Sequence, residues 1–375
     1  MSAIERASRL RRAVTAKRCF SAAAAVVVAA LLVCGVMTGL ARIGIGMPAH
    51  AQANAAWHGV LMIPVFFGAT VSLERAVALG RRWNYLAPAA AALGGVVLLA
   101  GAPPLTTQIL LLVAAIVSLA GNLLVLQRQS ALFVWVLALA VANWAIGDLL
   151  WLATEDPSAS VPWWLAFLIL TIAAERLELS RLRPIQPLSP SFFRGIVILM
   201  QAALCWTIWQ PEHGTRLFAA SLILLACWLV RYDIARHTVR QRALVRFIAV
   251  CLLSGYGWLA VGGIVGVAGA LLPGDPWRDA ALHALTLGFV FSMVLGHAPI
   301  IVPAVTRLRV KYHPIFYFPL VVLHGAVAIR VAGGVSGTFW LRQTGGAGAA
   351  LALASFALVL LGGVWQGNRA HASRG

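Results

Sequence analysis

The chain contains little charge and very few acidic residues. Only 11% of its 375 residues are charged, and Asp and Glu together number 11, whereas about a quarter of a soluble domain is usually charged. Because 61% of the residues are hydrophobic, there is too little polar surface to enclose a soluble core of this size. The composition therefore excludes a soluble globular protein and predicts an integral membrane protein in a lipid bilayer.

Cysteine pairs and soluble-enzyme motifs are also missing. None of the five cysteines lies in a CxxC pair, so neither a disulfide framework nor a zinc knuckle is predicted. There is no Walker loop, dinucleotide fingerprint, HExxH or GxSxG sequence, which leaves nucleotide, zinc-protease and serine-hydrolase chemistry without a basis. The sequence does not decide whether the protein is an enzyme.

Apolar runs of about 20 residues, separated by short breaks containing Gly, Pro and Arg, are typical of membrane-spanning helices. We predict an all-α, polytopic bundle that forms a single integral membrane domain over 1–375, with a basic cytoplasmic tail at 1–19. The twelve predicted spans are 20–42, 58–79, 86–102, 105–125, 131–150, 161–179, 193–209, 216–231, 246–271, 279–304, 314–333 and 345–365. Tryptophans near the span ends, typical of an aromatic belt, are Trp57, Trp83, Trp163, Trp164, Trp277 and Trp340.

The distribution of basic residues predicts the orientation. With twelve spans and both termini in the cytoplasm, only five of the 29 Lys and Arg residues fall on the outer side. These five are Arg42, Arg216, Arg278, Arg330 and Arg342. This topology and anionic lipid account for the net charge of +18, so no nucleic-acid partner is predicted. The basic N-terminus also resembles a signal peptide with a cleavage site at 49–51, but its long apolar stretch favours an uncleaved helix.

Four histidines lie within or at the ends of predicted spans. His283 and His297 are on the tenth span, 14 residues or about 21 Å apart along one helix face, while His324 is in the eleventh and His58 opens the second. An imidazole in hydrocarbon needs a partner, so these residues are candidates for a metal or cofactor site or a relay. Simpler interpretations remain: His58 is an interfacial residue, and His297 bonds a carbonyl freed by a nearby proline.

The predicted depths bring some of these histidines together. His58 and His283 both begin inward-running spans, so they are expected to meet in the outer leaflet, with His324 somewhat deeper. Neutral imidazoles on facing helices can ligate haem iron axially or hold copper. Arg330 and Arg278 are suited to carboxylates such as haem propionates, although an outer arginine is also a common membrane anchor.

Two similar Glu-Arg pairs lie at predicted inner span ends. Glu74-Arg75 closes the second span and Glu175-Arg176 lies at the end of the sixth. The pairs are interpreted either as interfacial anchors or as the start of a proton route from the cytoplasm.

Three segments carry a resemblance to a known family. His283-Ala284-Leu285-Thr286-Leu287-Gly288-Phe289 followed by Gly296-His297-Ala298-Pro299, and His58-Gly59-Val60-Leu61-Met62 leading into Phe67-Gly68 and Glu74-Arg75-Ala76-Val77-Ala78-Leu79, resemble the NnrS-like group of twelve-helix bacterial membrane proteins, which is similar to the haem-copper oxidase catalytic subunit. The resemblance implies an inner-membrane protein that binds haem, copper or both and is linked to nitric oxide or nitrosative stress. The chain has no adjacent histidine pair, so a binuclear centre is not expected.

Three hypotheses follow. In the first, His58, His283 and His324 ligate haem or copper in a redox protein, with support from His297 or Glu74. In the second, the same histidines line the aqueous route of a proton-coupled transporter without a chromophore. In the third, the chain is an assembly partner of a respiratory complex.

Overall fold

The chain folds into helices, and no strand occurs in the part described by the computed structural model, residues 26–180 and 188–372. The predicted basic tail at 1–19 lies outside these residues. Ten described helices are long and apolar enough to cross a membrane, and two shorter apolar helices accompany them. In chain order the twelve are α1 (Val26–Arg42), α2 (Ala55–Leu79), α3 (Leu86–Leu99), α4 (Pro104–Arg128), α5 (Leu132–Thr154), α6 (Pro157–Ser180), α7 (Ser189–Thr207), α8 (Pro211–Tyr232), α9 (Ala243–Ala270), α10 (Arg278–Thr306), α11 (Pro314–Val335) and α12 (Phe339–Arg369). The chain is therefore a multi-pass, all-helical membrane protein.

Proline and glycine set several of the helix limits. Pro104, Pro157, Pro211 and Pro314 each stand at the first residue of a helix, where the missing N–H has no partner to lose. Gly80 ends α2 in the left-handed conformation, with φ of 66°, which a residue without Cβ adopts at no cost. Because these prolines and this glycine mark helix limits, the sequence predicts the breaks between the apolar runs.

The helices differ in how deeply they are enclosed. In α2 and α6, 72% of the apolar segment is buried within the protein, whereas the figure for α12 is 22%. α12 packs mainly against α11, and most of its surface is left for lipid. The candidate functional site lies between the enclosed helix α2 and the peripheral helix α12.

The centre of the bundle contains four tryptophans. Trp144 and Trp151 of α5 and Trp163 and Trp164 of α6 are all at most 2% exposed. The prediction that Trp163 and Trp164 belong to an aromatic belt is wrong, because both side chains fill the protein core. Trp340, which is 63% exposed, does lie at the start of α12.

Close contact between α9 and α10 depends on small residues of α10. A Cβ atom at Gly288 would lie 2.5 Å from the Trp258 ring, and one at Gly296 would lie 3.0 Å from Cβ of Cys251. Trp258 and Cys251 are both on α9, so the small side chains allow the two helices to approach closely.

The tight packing of α2 against α5 generates a stability prediction. A Cβ atom at Gly68 would lie 2.5 Å from Cζ2 of the buried Trp144 ring. We expect Gly68→Val to destabilise the fold by about 1–3 kcal/mol through overpacking, measured as a lower melting temperature in detergent. The matched change Gly257→Ala meets no atom within 4 Å and should leave the melting temperature unchanged or raise it. Equal melting temperatures for both variants would contradict this packing.

Candidate functional site at the predicted outer end of α2 and α10

His58 of α2 and His283 of α10 face each other across a short gap. Their ring centroids are 6.3 Å apart and the ring planes differ by only 9°. Each histidine lies within six residues of the start of its helix, so the two rings lie at the same end of the bundle. The structure confirms the prediction that these two residues lie close together.

Hydrogen bonds orient both rings in the same way. Nδ1 of His58 lies 2.8 Å from the carbonyl oxygen of Gly35 on α1, and Nδ1 of His283 lies 2.7 Å from that of Asp279. Because a carbonyl oxygen only accepts, Nδ1 of each ring carries the proton and donates. Nε2 of each ring is then an unprotonated nitrogen with an available lone pair, and no described residue hydrogen-bonds to it. This is the tautomer that metal-ligating histidines adopt.

Asp279 and Arg330 form the support behind His283. Nε and NH2 of Arg330 donate to the two carboxylate oxygens of Asp279 at 3.0 and 2.8 Å, and one of these oxygens lies 3.3 Å from Nδ1 of His283. Bidentate pairing of this kind fixes the carboxylate in one orientation. Arg330 was expected to bind the carboxylate of a cofactor, but its carboxylate partner is Asp279 of the protein itself. Arg330 therefore acts on the site by holding Asp279, and through it His283.

A cavity of about 130 Å³ adjoins the two histidines. Its walls come from α1, α2, α6, α10, α11 and α12 and are mainly apolar. The small residues in the wall are Gly39, Gly59, Gly346, Ala349 and Ala350. Gly39 is required for space, because a Cβ atom there would lie 2.5 Å from Cε1 of His58. The cavity is large enough for a bound group, since one water needs only about 10–15 Å³.

Both histidine-bearing helices change their winding just after the histidine. A π-helical segment runs from Leu61 to Phe67 on α2, and another runs from Ala284 to Phe291 on α10. The rings of Phe67 and Phe291, which end these segments, are 5.2 Å apart in an edge-to-face contact. π-helical turns are rare and occur often at functional sites. The segment on α10 also interrupts the regular repeat from which His283 and His297 were predicted to share one helix face.

The distance between the two rings is compatible with a metal ion bound by both imidazoles. A metal lies about 2.0–2.1 Å from an imidazole nitrogen, and the nitrogen lies about 1.1 Å from its ring centroid, so opposed rings on one ion have centroids about 6.3 Å apart. The distance between the His58 and His283 centroids is 6.3 Å. No group of three or more His, Cys, Asp or Glu side chains suitable for a metal occurs in 26–180 and 188–372. Any metal ion bound by both rings would therefore need further ligands from a source other than these residue types.

His324 does not join this pair, contrary to the prediction. Its Nδ1 accepts from the indole N–H of Trp258 at 2.8 Å, and its Nε2 lies 2.8 Å from Oγ of Ser254. Since an indole N–H only donates, Nε2 of His324 carries the proton and donates to Ser254. Both ring nitrogens are thus engaged by α9, and neither has a lone pair left for a metal. His324 has a packing role between α9 and α11.

His297 likewise lies apart from the pair, toward the predicted inner end. Its Nδ1 donates to the carbonyl oxygen of Met293 at 2.6 Å, and its Nε2 accepts from the guanidinium of Arg176 on α6 at 3.0 Å. The metal-ligand role predicted for His297 is not supported, because no lone pair remains on its ring. The carbonyl that it contacts belongs to Met293. Each proline, Pro299 and Pro303, lacks an N–H and so frees the carbonyl of the fourth residue before it. Met293 is not at either of those positions, so His297 does not bond a carbonyl freed by proline.

The two Glu-Arg pairs meet in the structure. Arg75 of α2 lies 3.5 Å from Glu175 of α6, and the next residue, Arg176, contacts His297. Nearby, Tyr256 donates to Asp233 at 2.8 Å, and burial raises the pKa of Asp233 above its ordinary value while Arg176 lowers it. These polar contacts join α6 to α2 and to α10, and they join α9 to the residue after α8. These contacts agree with the interpretation of the Glu-Arg pairs as anchors, because Arg75 and Arg176 each have a partner on a neighbouring helix.

Sequence reasoning missed three residues of the site. Asp279 is four residues before His283, a spacing that places the two side chains on one face of a helix, and this signal was available. Gly35 and Gly39 of α1 are also four apart, as expected where a neighbouring helix approaches closely. Their link to His58 is a contact between α1 and α2 that no local pattern indicates.

The ion pair behind His283 generates a prediction. In Asp279→Asn, the guanidinium of Arg330, whose side chain is 7% exposed, loses its carboxylate partner. We expect a loss of about 2–4 kcal/mol of stability, because a buried charge is left uncompensated. Thermal unfolding of the purified protein in detergent would measure the change.

The control for this prediction is an exposed ion pair. Glu212→Gln breaks the contact with Arg216. The side chain of Glu212 is 56% exposed and that of Arg216 is 48% exposed, so the substitution should change stability by less than about 1 kcal/mol. If Asp279→Asn and Glu212→Gln had the same small effect, the Asp279–Arg330 contact would not be a structural support of the site.

The comparisons with known proteins identify a family without a described function. No curated protein matches the chain. A family described only as a domain of unknown function, DUF8744, matches residues 19–364, a range that includes both histidines of the pair together with Asp279 and Arg330. The chain therefore belongs to the DUF8744 family.

Proposed function

We propose that this protein is a membrane redox protein that binds haem between His58 and His283. The observation that supports the proposal is the opposed pair of imidazoles, with centroids 6.3 Å apart and planes within 9°. Both rings donate from Nδ1 to a carbonyl oxygen, which leaves Nε2 as the ligand atom. The proposal agrees with the resemblance to NnrS-like proteins, and the link to nitric oxide rests on that resemblance alone.

Haem explains the number of protein ligands better than a bare copper ion does. Haem would bring most of its own iron ligands, so the protein would need to supply only the imidazoles of His58 and His283. Copper(II) in a tetragonal site needs more donors, and the described residues offer no third candidate beside the pair. A two-coordinate copper(I) ion remains the second possibility for the same two histidines.

The residues around the pair have separate tasks in this proposal. His58 and His283 hold the iron, while Gly35, Asp279 and Arg330 fix the tautomer and orientation of the rings. The mainly apolar walls exclude water from the centre. A porphyrin is larger than the cavity of about 130 Å³, so haem would fit between the histidines only if the cavity walls moved apart. When bound between two imidazoles, haem supplies one-electron transfer.

The proposed topology has twelve spans, with both termini in the cytoplasm of a bacterium and the protein in its inner membrane. The shorter helices α1 and α3 then cross the bilayer together with the ten longer ones. Support comes from the basic residues, only five of which fall on the outer side in this arrangement. His58 and His283 would then lie in the outer leaflet.

A haem spectrum tests the proposed ligands. We expect reduced-minus-oxidised absorption of the protein, purified from cells supplied with haem precursor, to show the bands of a six-coordinate haem. His58→Ala and His283→Ala should each remove these bands, because one axial ligand is lost. The matched variant His324→Gln should keep them, since both nitrogens of His324 are bonded to α9.

Two outcomes would contradict the haem proposal. Stoichiometric copper without haem, lost in both His58→Ala and His283→Ala, would assign the pair to copper(I). A protein without chromophore or metal after supply of both would mean that the imidazoles merely stack, and proton-dependent uptake into vesicles would then favour a transporter.

Cysteine labelling tests the topology. Ser130 follows α4 and Ser336 follows α11, and both are exposed. In a background where all five native cysteines are replaced by Ala, we expect a membrane-impermeant maleimide to label Ser336→Cys in spheroplasts but to label Ser130→Cys only after lysis. The reverse pattern would invert the orientation, and equal labelling of both sites would contradict the number of spans between them.

A further inference from the structure

A second cavity lies on the other side of the protein, between α7 and α8. It is a groove of about 710 Å³, separate from the histidine pair. Residues of α7 and the segment before it form one wall, and residues of α8 form the other. They are Leu188, Ser191, Phe192, Gly195, Ile196, Leu199, Leu224, Cys227, Trp228, Arg231 and Tyr232.

The groove is open to the surrounding lipid along its length. Phe192 is 57% exposed and Leu224 is 47% exposed, and these side chains form opposite edges. Small residues provide the depth, since no atom lies within 4 Å of a Cβ placed at Gly195 and Cys227 is exposed. Trp228, only 3% exposed, forms the base. An apolar groove of this shape accommodates a hydrocarbon chain.

One end of the groove is cationic. Arg231 lines it at the last turn of α8 and lies over the Tyr232 ring at 5.3 Å. Arg194 reaches the same end, where it donates to Oγ of Ser191 at 3.2 Å. Neither arginine is part of the ion pairs found among the described residues. Arg236, whose NH1 donates to the carbonyl oxygen of Arg231 at 2.6 Å, adds a third positive charge.

We propose that this groove binds an anionic phospholipid, with an acyl chain between α7 and α8 and the phosphate at Arg231 and Arg194. The charge pattern favours this occupant, because the positive end lies at the limit of the membrane-spanning segment, at the depth of a lipid headgroup. A second copy of the chain fits less well. A two-fold contact through this face would bring Arg231 and Arg194 of both copies to the same depth, where like charges repel.

Two exposed cysteines provide the test within one protein. Cys227 lines the groove, whereas Cys205 is exposed near the other end of α7, away from it. The protein is placed in nanodiscs of phosphatidylcholine, or of an equimolar mixture with phosphatidylglycerol, and labelled with a membrane-permeant maleimide. We expect phosphatidylglycerol to lower the labelling rate of Cys227 relative to Cys205 by about fivefold, the factor that corresponds to one arginine at an anionic surface.

Charge variants identify the headgroup contact. Arg231→Gln should abolish the protection of Cys227 by phosphatidylglycerol, while Arg128→Gln, an exposed arginine at the last residue of α4, should leave it intact. Equal protection in both lipids, or protection that persists in Arg231→Gln, would overturn the proposal. Protection that appears only when two protein copies share a nanodisc would assign the groove to a second chain.

Discussion

The bidentate contact between Arg330 and Asp279 is the interaction on which the arrangement of the histidine pair depends. Asp279 offers its backbone carbonyl to Nδ1 of His283, and its carboxylate is held by Arg330 from α11. The guanidinium and the carboxylate compensate each other's charge in a mainly apolar environment. Three helix positions are thus coupled: neither charge is tolerated alone, and together they fix one ring of the pair. On the other side, His58 needs only a backbone carbonyl of α1, which the glycines of that helix bring close.

The other two intramembrane histidines also need hydrogen-bond partners, but they bond through both ring nitrogens. His297 and His324 have a partner for each ring nitrogen, and these partners are the Arg176, Trp258 and Ser254 side chains together with a backbone carbonyl. Each of the four rings thus has at least one hydrogen bond in the hydrocarbon region. Only His58 and His283 do so with one nitrogen and retain the other. This difference, more than depth or spacing, separates candidate ligands from histidines that join helices.

The helical architecture was predictable because apolar length and proline position are local properties of the chain. The pairing of His58 with His283 followed from equal predicted depth, a coarse argument that needs no side-chain detail. The partners of His324 and Arg330 were not predictable, since they depend on how α9 and α10 are rotated about their axes. The π-helical segments change that rotation, and only the segment on α2 carries a sequence signal, the proline at position 64. Trp163 and Trp164 were misassigned for a related reason: α6 is surrounded by other helices, and a position near a helix end does not imply contact with lipid.

The peripheral position of α12 has a consequence for how the site is assembled. Gly346, Ala349 and Ala350 of α12 form part of the cavity wall, yet this helix is the last of those described and packs mainly on α11. Because a chain is synthesised and folds from its N-terminus, both histidines are in the membrane before this wall exists. Until α12 docks on α11, this side of the cavity has no wall, and the docking of α12 completes it.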